Sequence, residues 1–353
     1  MNLLFSRATR AIRLVTPPNC SGRRRWTAIS LLMSSIGWLS GCVYAGEKLT
    51  LESITPRGPL TISRQIKGDM KDVTVTAELH LPNDLSRPVP AMLIMHGSGG
   101  LTASAPKAKH WTGLLNSWGV ATLVIDSFGP RGLMETGTNQ QVLSGFANVA
   151  DAFAGLRTLA NDPRIDASRI GIMGFSRGGN ASLNTAFESF RRVSVPGDLR
   201  FAVHIPLYAS CATQYRDEAT DKSPILYLHG EADNLTRIEP CREHLRWFES
   251  MGSPVTFVAY KGAHHDFDRP TGEVVFVPKI QSYINCDGVY DIPSGEFMRV
   301  NGVVNPPLTK AQIAEYWRTC FILGANGGRN AAALADAEKQ VQRFLSHHFR
   351  LSQ

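Results

Sequence analysis

The sequence holds no internal repeat and no low-complexity linker. Its apolar stretch from Trp26 to Leu39 stops short of the roughly 20 residues that a helical membrane span needs. Solenoid and multi-span membrane architectures are therefore excluded as readings. Charged residues are sparse at 19%, while hydrophobic residues reach an ordinary 43%, which excludes disorder, collagen and coiled coil for the bulk of the chain. No CxxC pair and no His-rich cluster is present, so nothing points to a metal. Acidic residues are missing from one region altogether: residues 1–41 contain six arginines, no lysine and no Asp or Glu. Those arginines account for six of the seven net positive charges of the 353-residue chain. The pI of about 9.2 thus belongs to the first 41 residues and not to a binding surface. Beyond them no basic cluster survives, which argues against a nucleic-acid partner.

What residues 1–41 do contain has the layout of a bacterial export signal. A positive region ends at Arg23-Arg24-Arg25, an apolar stretch follows, and then come small residues. Leu39-Ser40-Gly41-Cys42 reads as a lipobox that would make Cys42 a lipidated, membrane-anchored N-terminus. Val43-Tyr44-Ala45 before Gly46 reads instead as an ordinary cleavage site, leaving a soluble periplasmic domain. Either way, residues 46–353 form one domain outside the cytoplasm. Cysteine usage agrees. Beyond Cys20 and Cys42 there are four, an even number suited to disulfides in an exported domain. Of the three connectivities, Cys211–Cys241 with Cys286–Cys320 is expected, because each pair closes a local loop of similar length. Each bond would contribute about 3 kcal/mol.

After Gly46 the chain alternates strand and helix patterns. Val73 to Leu81 alternates with period two, as a half-buried antiparallel strand does. Ala91–Met95, Ala121–Ile125, Ile170–Met173, Phe201–Leu207, Pro224–Leu228 and Val255–Tyr260 are apolar runs, as in strands buried on both faces. Helical patterns fall near Lys107–Leu115, Val142–Ala160, Gly178–Glu188, Glu239–Met251 and Asn330–His347. This predicts a mainly parallel sheet with helices on both faces. Ligands in such sheets bind beyond the carboxyl ends of the strands.

The chemistry-bearing residues fall there. Gly174-Phe175-Ser176-Arg177-Gly178-Gly179 joins a predicted strand to a predicted helix, the context a G-x-S-x-G nucleophile turn requires. Its glycine spacing does not match a dinucleotide fingerprint. A serine nucleophile needs a base and an orienting acid, in the chain order Ser, acid, His. Asp233 sits past the Tyr227–Gly230 segment and is preferred as the acid over Glu231, being deeper in the loop. His265, in Gly262-Ala263-His264-His265-Asp266-Phe267, is preferred as the base over His264. The oxyanion needs two backbone N–H groups. One should come from Arg177; the other from His96-Gly97-Ser98-Gly99-Gly100, with Ser98 first and Gly99 second. Losing one such donor should cost about 3–4 kcal/mol of transition-state stabilisation. His96 is expected to staple its loop. Arg131, in Asp126-Ser127-Phe128-Gly129-Pro130-Arg131-Gly132, is a candidate contact for a substrate carboxylate, against the alternative that it orders its own loop.

Together His96–Gly100, Asp126–Gly132, Gly174–Gly179, Gly230–Asp233 and Gly262–Phe267 resemble the α/β-hydrolase superfamily, specifically its dienelactone hydrolase-like branch. The resemblance implies an α/β-hydrolase fold and hydrolysis of a small carboxylic ester or lactone, with no cofactor. It departs from the branch at one point: true dienelactone hydrolases use a cysteine nucleophile, and here the position is Ser176. Residues 268–330, holding Cys286 and before the last helix Cys320, look like an added disulfide-stapled insertion and the only segment able to form a partial lid. Two other functions fit the same residues. One is an amidase or peptidase on small substrates, and the other a non-catalytic envelope binding protein that kept the fold.

Overall fold

A computed structural model describes residues 46–351. The expected export signal, Cys42 and the cleavage site after Ala45 lie outside the described residues. The chain opens with β1 (Glu47–Pro56), α1 (Pro59–Ser63) and β2 (Met70–His80), then β3 (Val89–Met95), α2 (Gly100–Ser117) and β4 (Ala121–Asp126). Next come α3 (Gly145–Ala160), β5 (Ile165–Phe175), α4 (Arg177–Asn184), α5 (Glu188–Ser194), β6 (Val203–Leu207), β7 (Thr213–Arg216) and β8 (Ile225–Gly230). The chain continues through α6 (Glu239–Ser250), β9 (Val255–Tyr260), β10 (Val275–Ser282), β11 (Gly288–Asp291), β12 (Glu296–Val300) and β13 (Val303–Val304). It ends with α7 (Lys310–Thr319), β14 (Ile322–Gly327) and α8 (Ala331–Phe349).

Eight strands form one sheet in the order β1-β2-β4-β3-β5-β6-β8-β9. β4, β3, β5, β6, β8 and β9 run parallel, and β1 and β2 are antiparallel additions at one edge. Every residue of β3 is buried. Its Leu93 and Met95 pack with Phe146, Val149 and Phe153 of α3. Its Met92 and Ile94 pack with Trp111 and Leu115 of α2 and Val341 and Leu345 of α8. An apolar run without alternation is thus the signature of helices on both faces. This is an α/β-hydrolase fold.

Parallel strands point their carboxyl ends the same way, which gathers the turns after β3, β5, β8 and β9 at one edge. The segment expected as an insertion forms two structures there. β10 and β14 make an antiparallel ribbon, while β11, β12 and β13 join β7 in a four-stranded sheet. Cys211–Cys241 and Cys286–Cys320 are both disulfides, with Cα separations of 5.0 and 5.3 Å. Among the described residues no helix is long and apolar enough to cross a membrane.

Candidate active site

Ser176 stands between the last residue of β5 and the first of α4, with φ 54° and ψ −113°. A serine at positive φ costs about 1–3 kcal/mol, and surrounding packing must enforce it. The Ser176 N–H donates to Leu207 O at 3.0 Å, and Gly178 lets the helix start close against β3. A Cβ on Gly178 would stand 2.2 Å from Met95 O and 2.7 Å from His96 O. Phe175, Arg177 and Gly178 are buried while Ser176 is partly exposed. The turn therefore presents the serine hydroxyl at the sheet edge.

Asp233 follows β8 and is 6% exposed. Its Oδ1 accepts the Leu235 and Thr236 amides at 2.8 and 2.9 Å. Its Oδ2 accepts the Thr236 hydroxyl at 2.8 Å and His265 Nδ1 at 2.7 Å. Burial pushes the carboxyl up, but the charge and hydrogen bond of His265, with His229 and the Thr236 amide, outweigh it and hold it below its ordinary range. With Nδ1–H committed to the carboxylate, Nε2 is the basic nitrogen of the neutral His265 ring, an assignment inferred from the bonding pattern. The Tyr208 ring meets His265 edge-on at 4.7 Å. The two competing residues stay out of this pair. Glu231 is exposed, and His264 Nδ1 is buried without a hydrogen-bond partner.

The structure brings Asp233 and His265 into contact and sets Ser176 on the same edge, with β6 between β5 and β8. Leu207 takes the Ser176 amide, and the next residue, Tyr208, packs on His265. Among the described residues the His265 ring bonds to Asp233 and Thr236, and a Ser176–His265 hydrogen bond is not formed.

The loop after β3 lies against Ser176. A side chain at Gly97 would stand 3.1 Å from Phe175 O and 3.5 Å from Ser176 Cβ. Among the described residues neither the Ser98 nor the Arg177 amide N–H has an acceptor, as an oxyanion site requires. His96 Nδ1 donates to Gly97 O at 2.9 Å, and its Nε2 accepts the Ser127 amide at 3.1 Å. Burial lowers its pKa, so it staples the loop as a neutral ring. The Arg177 side chain turns away and holds Asn148 Oδ1, Gln140 O and Leu143 O. Burial without a carboxylate partner lowers its pKa to about 10.

The dienelactone hydrolase family model matches residues 77–285, a segment containing all of these groups. The chain belongs to the dienelactone hydrolase family. Among solved structures it resembles a dienelactone hydrolase-like promiscuous phosphotriesterase from metagenomic libraries. That match has a TM-score of 0.51 and 16% identity, covering 86% of this chain and 99% of the other. It also resembles esterase 2 of Thermogutta terrifontis phosphorylated by paraoxon, with a TM-score of 0.48 and 14% identity over 86% and 96% of the two chains. A non-reducing polyketide synthase of Emericella nidulans is 27% identical over 148 residues, 41% of this chain. This chain spans only 6% of that protein's length.

Within this family member the guanidinium of Arg131, the candidate carboxylate contact, is taken up by protein acceptors. Nε donates to Thr55 Oγ1, Nη1 to Ser127 O and Asp151 Oδ2, and Nη2 to Ile54 O and Asp151 Oδ1. All five N–H groups are spent on protein acceptors, and both side chains of the pair are buried. Arg131 orders its own loop because Asp151, a buried carboxylate on α3, already occupies its fork.

Sequence reading missed the residues that hold the Asp233 and His265 loops. Gly328 N–H donates to His265 O at 2.8 Å, and Ser282 Oγ donates to Asn234 O at 3.0 Å. The Asn326 amide donates to Asn234 Oδ1 at 2.8 Å. Gln281 Oε1 accepts the Gln140 amide at 2.7 Å, and Gln140 Oε1 accepts Ser98 Oγ at 3.0 Å. The β10–β14 ribbon therefore grips three of the loops around the site. Only Asp233, Asn234 and Thr236, polar side chains suited to turn bonding, give a local signal. Among the described residues no cluster suited to a metal is found.

Proposed function

We propose that the protein is an exported serine hydrolase of small carboxylic esters or lactones. His265 Nε2 takes the Ser176 proton as Ser176 Oγ attacks the carbonyl carbon. Asp233 fixes the imidazole tautomer and stabilises the imidazolium. The Ser98 and Arg177 amides receive the developing oxyanion. His265 then returns the proton to the leaving alcohol, and water releases the acyl group from Ser176 in a second cycle. This chemistry asks for no metal or organic cofactor.

The observation that carries the reading is the strained Ser176 at a strand–helix turn, on the same edge as the 2.7 Å Asp233–His265 pair. Family membership supports it. Export is supported by the two disulfides, which suit an oxidising compartment, and by the signal-like residues 1–41. Anchoring through Cys42 or release after Ala45 are the two outcomes of processing, told apart by mass spectrometry of the mature N-terminus. The test of function is an organophosphonate probe on the mature protein, with a panel of p-nitrophenyl esters, lactones and amides. We expect Ser176 to be labelled, esters or lactones to turn over, and Ser176→Ala to abolish both at an unchanged fold. Full turnover in Ser176→Ala would refute the assignment.

A further inference from the structure

Behind the base loop lies a buried polar cluster that the hydrolytic steps do not use. Lys107 projects from α2 with its side chain 6% exposed. Its Nζ donates to the Tyr208 hydroxyl at 2.9 Å and forms a close ion pair with Asp266 Oδ1. Tyr208 donates onward to Asp268 Oδ1 at 2.6 Å. Trp111 Nε1, one turn along α2, donates to Asp268 Oδ2 at 3.0 Å. Arg269 Nε donates to Asp266 Oδ2 at 2.7 Å. Two cations thus face two carboxylates.

The cluster touches each part of the candidate site without entering it. Asp266 is the residue after His265 and sits at φ 66°. Tyr208 packs edge-on against the His265 ring. Lys107 Nζ lies 4.8 Å from the ring centroid of Phe175, the residue before Ser176. Helix α2, which carries Lys107, begins directly after the oxyanion loop, at Gly100. Stability alone gives no reason for charges here, since a buried ion pair is often matched or bettered by apolar packing of the same volume. A fixed fork of directional bonds does what apolar packing cannot, which is to set angles.

We propose that Lys107 is a positioning residue. Through Asp266 and Tyr208 it fixes the His265 ring relative to Ser176 and the oxyanion loop, and it neutralises the carboxylate next to the base. The proposal rests on the triad reading above. The charged and titratable groups around His265 are Asp233 with His229 behind it, His264, Tyr208, Asp266 backed by Lys107 and Arg269, and Asp268. Removing the Lys107 ammonium leaves the Asp266 carboxylate with Arg269 alone, which favours the protonated His265 ring. The acid limb of the kcat/KM profile must then move to higher pH.

The test compares the mature protein with Lys107→Met, Lys107→Met/Asp266→Asn and Tyr208→Phe. Turnover of p-nitrophenyl acetate is followed across the pH range, and active sites are counted by phosphonate titration. Lys107→Met should lose about tenfold or more in kcat per titrated site with KM little changed. Its acid limb should rise by about one pH unit. The double variant, having lost the Asp266 carboxylate too, should regain the wild-type limb but not the wild-type kcat. Tyr208→Phe keeps the ring against His265 and loses only the hydroxyl link, so it should lose kcat in the same direction by less. If Lys107→Met does not fold, Tyr208→Phe decides. Wild-type kcat and limb per titrated site in every folded variant, whatever their melting temperatures, would overturn the positioning role. A wild-type protein that is neither labelled nor active would overturn the triad reading instead.

Discussion

Replacing Asp233 by Asn tests the proposed catalytic geometry with almost no change of shape. The amide orientation is dictated by the protein. Oδ1 of Asp233 accepts two backbone N–H groups, from Leu235 and Thr236, so that position must stay an oxygen. The Asn nitrogen then replaces Oδ2 and points its N–H at His265 Nδ1, 2.7 Å away. Two donors cannot face each other, so Nδ1 must give up its proton and accept. The proton of the neutral ring moves to Nε2, the nitrogen that has to receive the Ser176 proton. A tautomer inversion of this kind costs about 10⁴-fold in kcat, or about 5.5 kcal/mol of barrier. Folding should suffer little. Both backbone bonds survive, and the Thr236 hydroxyl, 2.8 Å from Oδ2, can rotate to accept. The melting temperature should shift by no more than roughly 2–4 °C, the equivalent of about 1 kcal/mol. The assay is kcat for p-nitrophenyl acetate per phosphonate-titratable site, beside a thermal melt. A loss of less than about tenfold in a protein of unchanged stability would show that Asp233 does not set the tautomer.

Two further outcomes concern stability. Burial holds His96, His229 and His244 below the ordinary histidine range, so unfolding takes up protons as pH falls below about 6.5. Asp233 and Asp266, held below the carboxylate range, add the same sign below about pH 4. The melting temperature should therefore fall between pH 7.5 and pH 5 and more steeply under pH 4; a flat profile down to pH 5 would contradict the neutral buried histidines. Arg131→Leu should destabilise by about 3–5 kcal/mol, because it strands the fully buried Asp151 carboxylate. Chemical denaturation measures this. The same variant should keep the wild-type ratio of kcat/KM between neutral and carboxylate-bearing esters, and a selective loss on the latter would restore Arg131 as a substrate contact.

The parts of the fold legible from sequence are those whose cause is local. β3, β5 and β8 read as apolar runs because helices cover both faces, and the elbow at Ser176 reads because a strand, a glycine-flanked serine and a helix follow one another directly. The missed parts depend on distant partners. β1, Glu47–Pro56, is a half-buried edge strand whose pairing with β2 spans a helix and a turn. α2 begins at Gly100 and runs through Pro106, earlier than the pattern near Lys107–Leu115 suggests, because Ser104, Lys107 and Trp111 are buried against the site. The helix expected over Gly178–Glu188 stops at Asn184, and an unexpected α5 starts at Glu188, whose amide turns to Ala219 O. Lys107 looks like a solvated helix residue in one dimension, since its reason for being buried, Asp266, lies 159 positions away. The two disulfides were legible through the spacing of four cysteines, but not the ribbon and four-stranded sheet that the second one ties together.

That ribbon has a consequence for how such an enzyme can change. β10 and β14 hold the backbone of His265 and of Asn234, the residue after the proposed acid, and also reach the Gln140 segment beside Ser98. The ribbon is thus the cradle of the proposed base. A substitution that shifts the ribbon should therefore move the His265 imidazole with it. Among the described residues the tips between β11 and α7, which hang from the Cys286–Cys320 bond, share no hydrogen bond with the His265 loop, so substitutions there should leave the imidazole where it is.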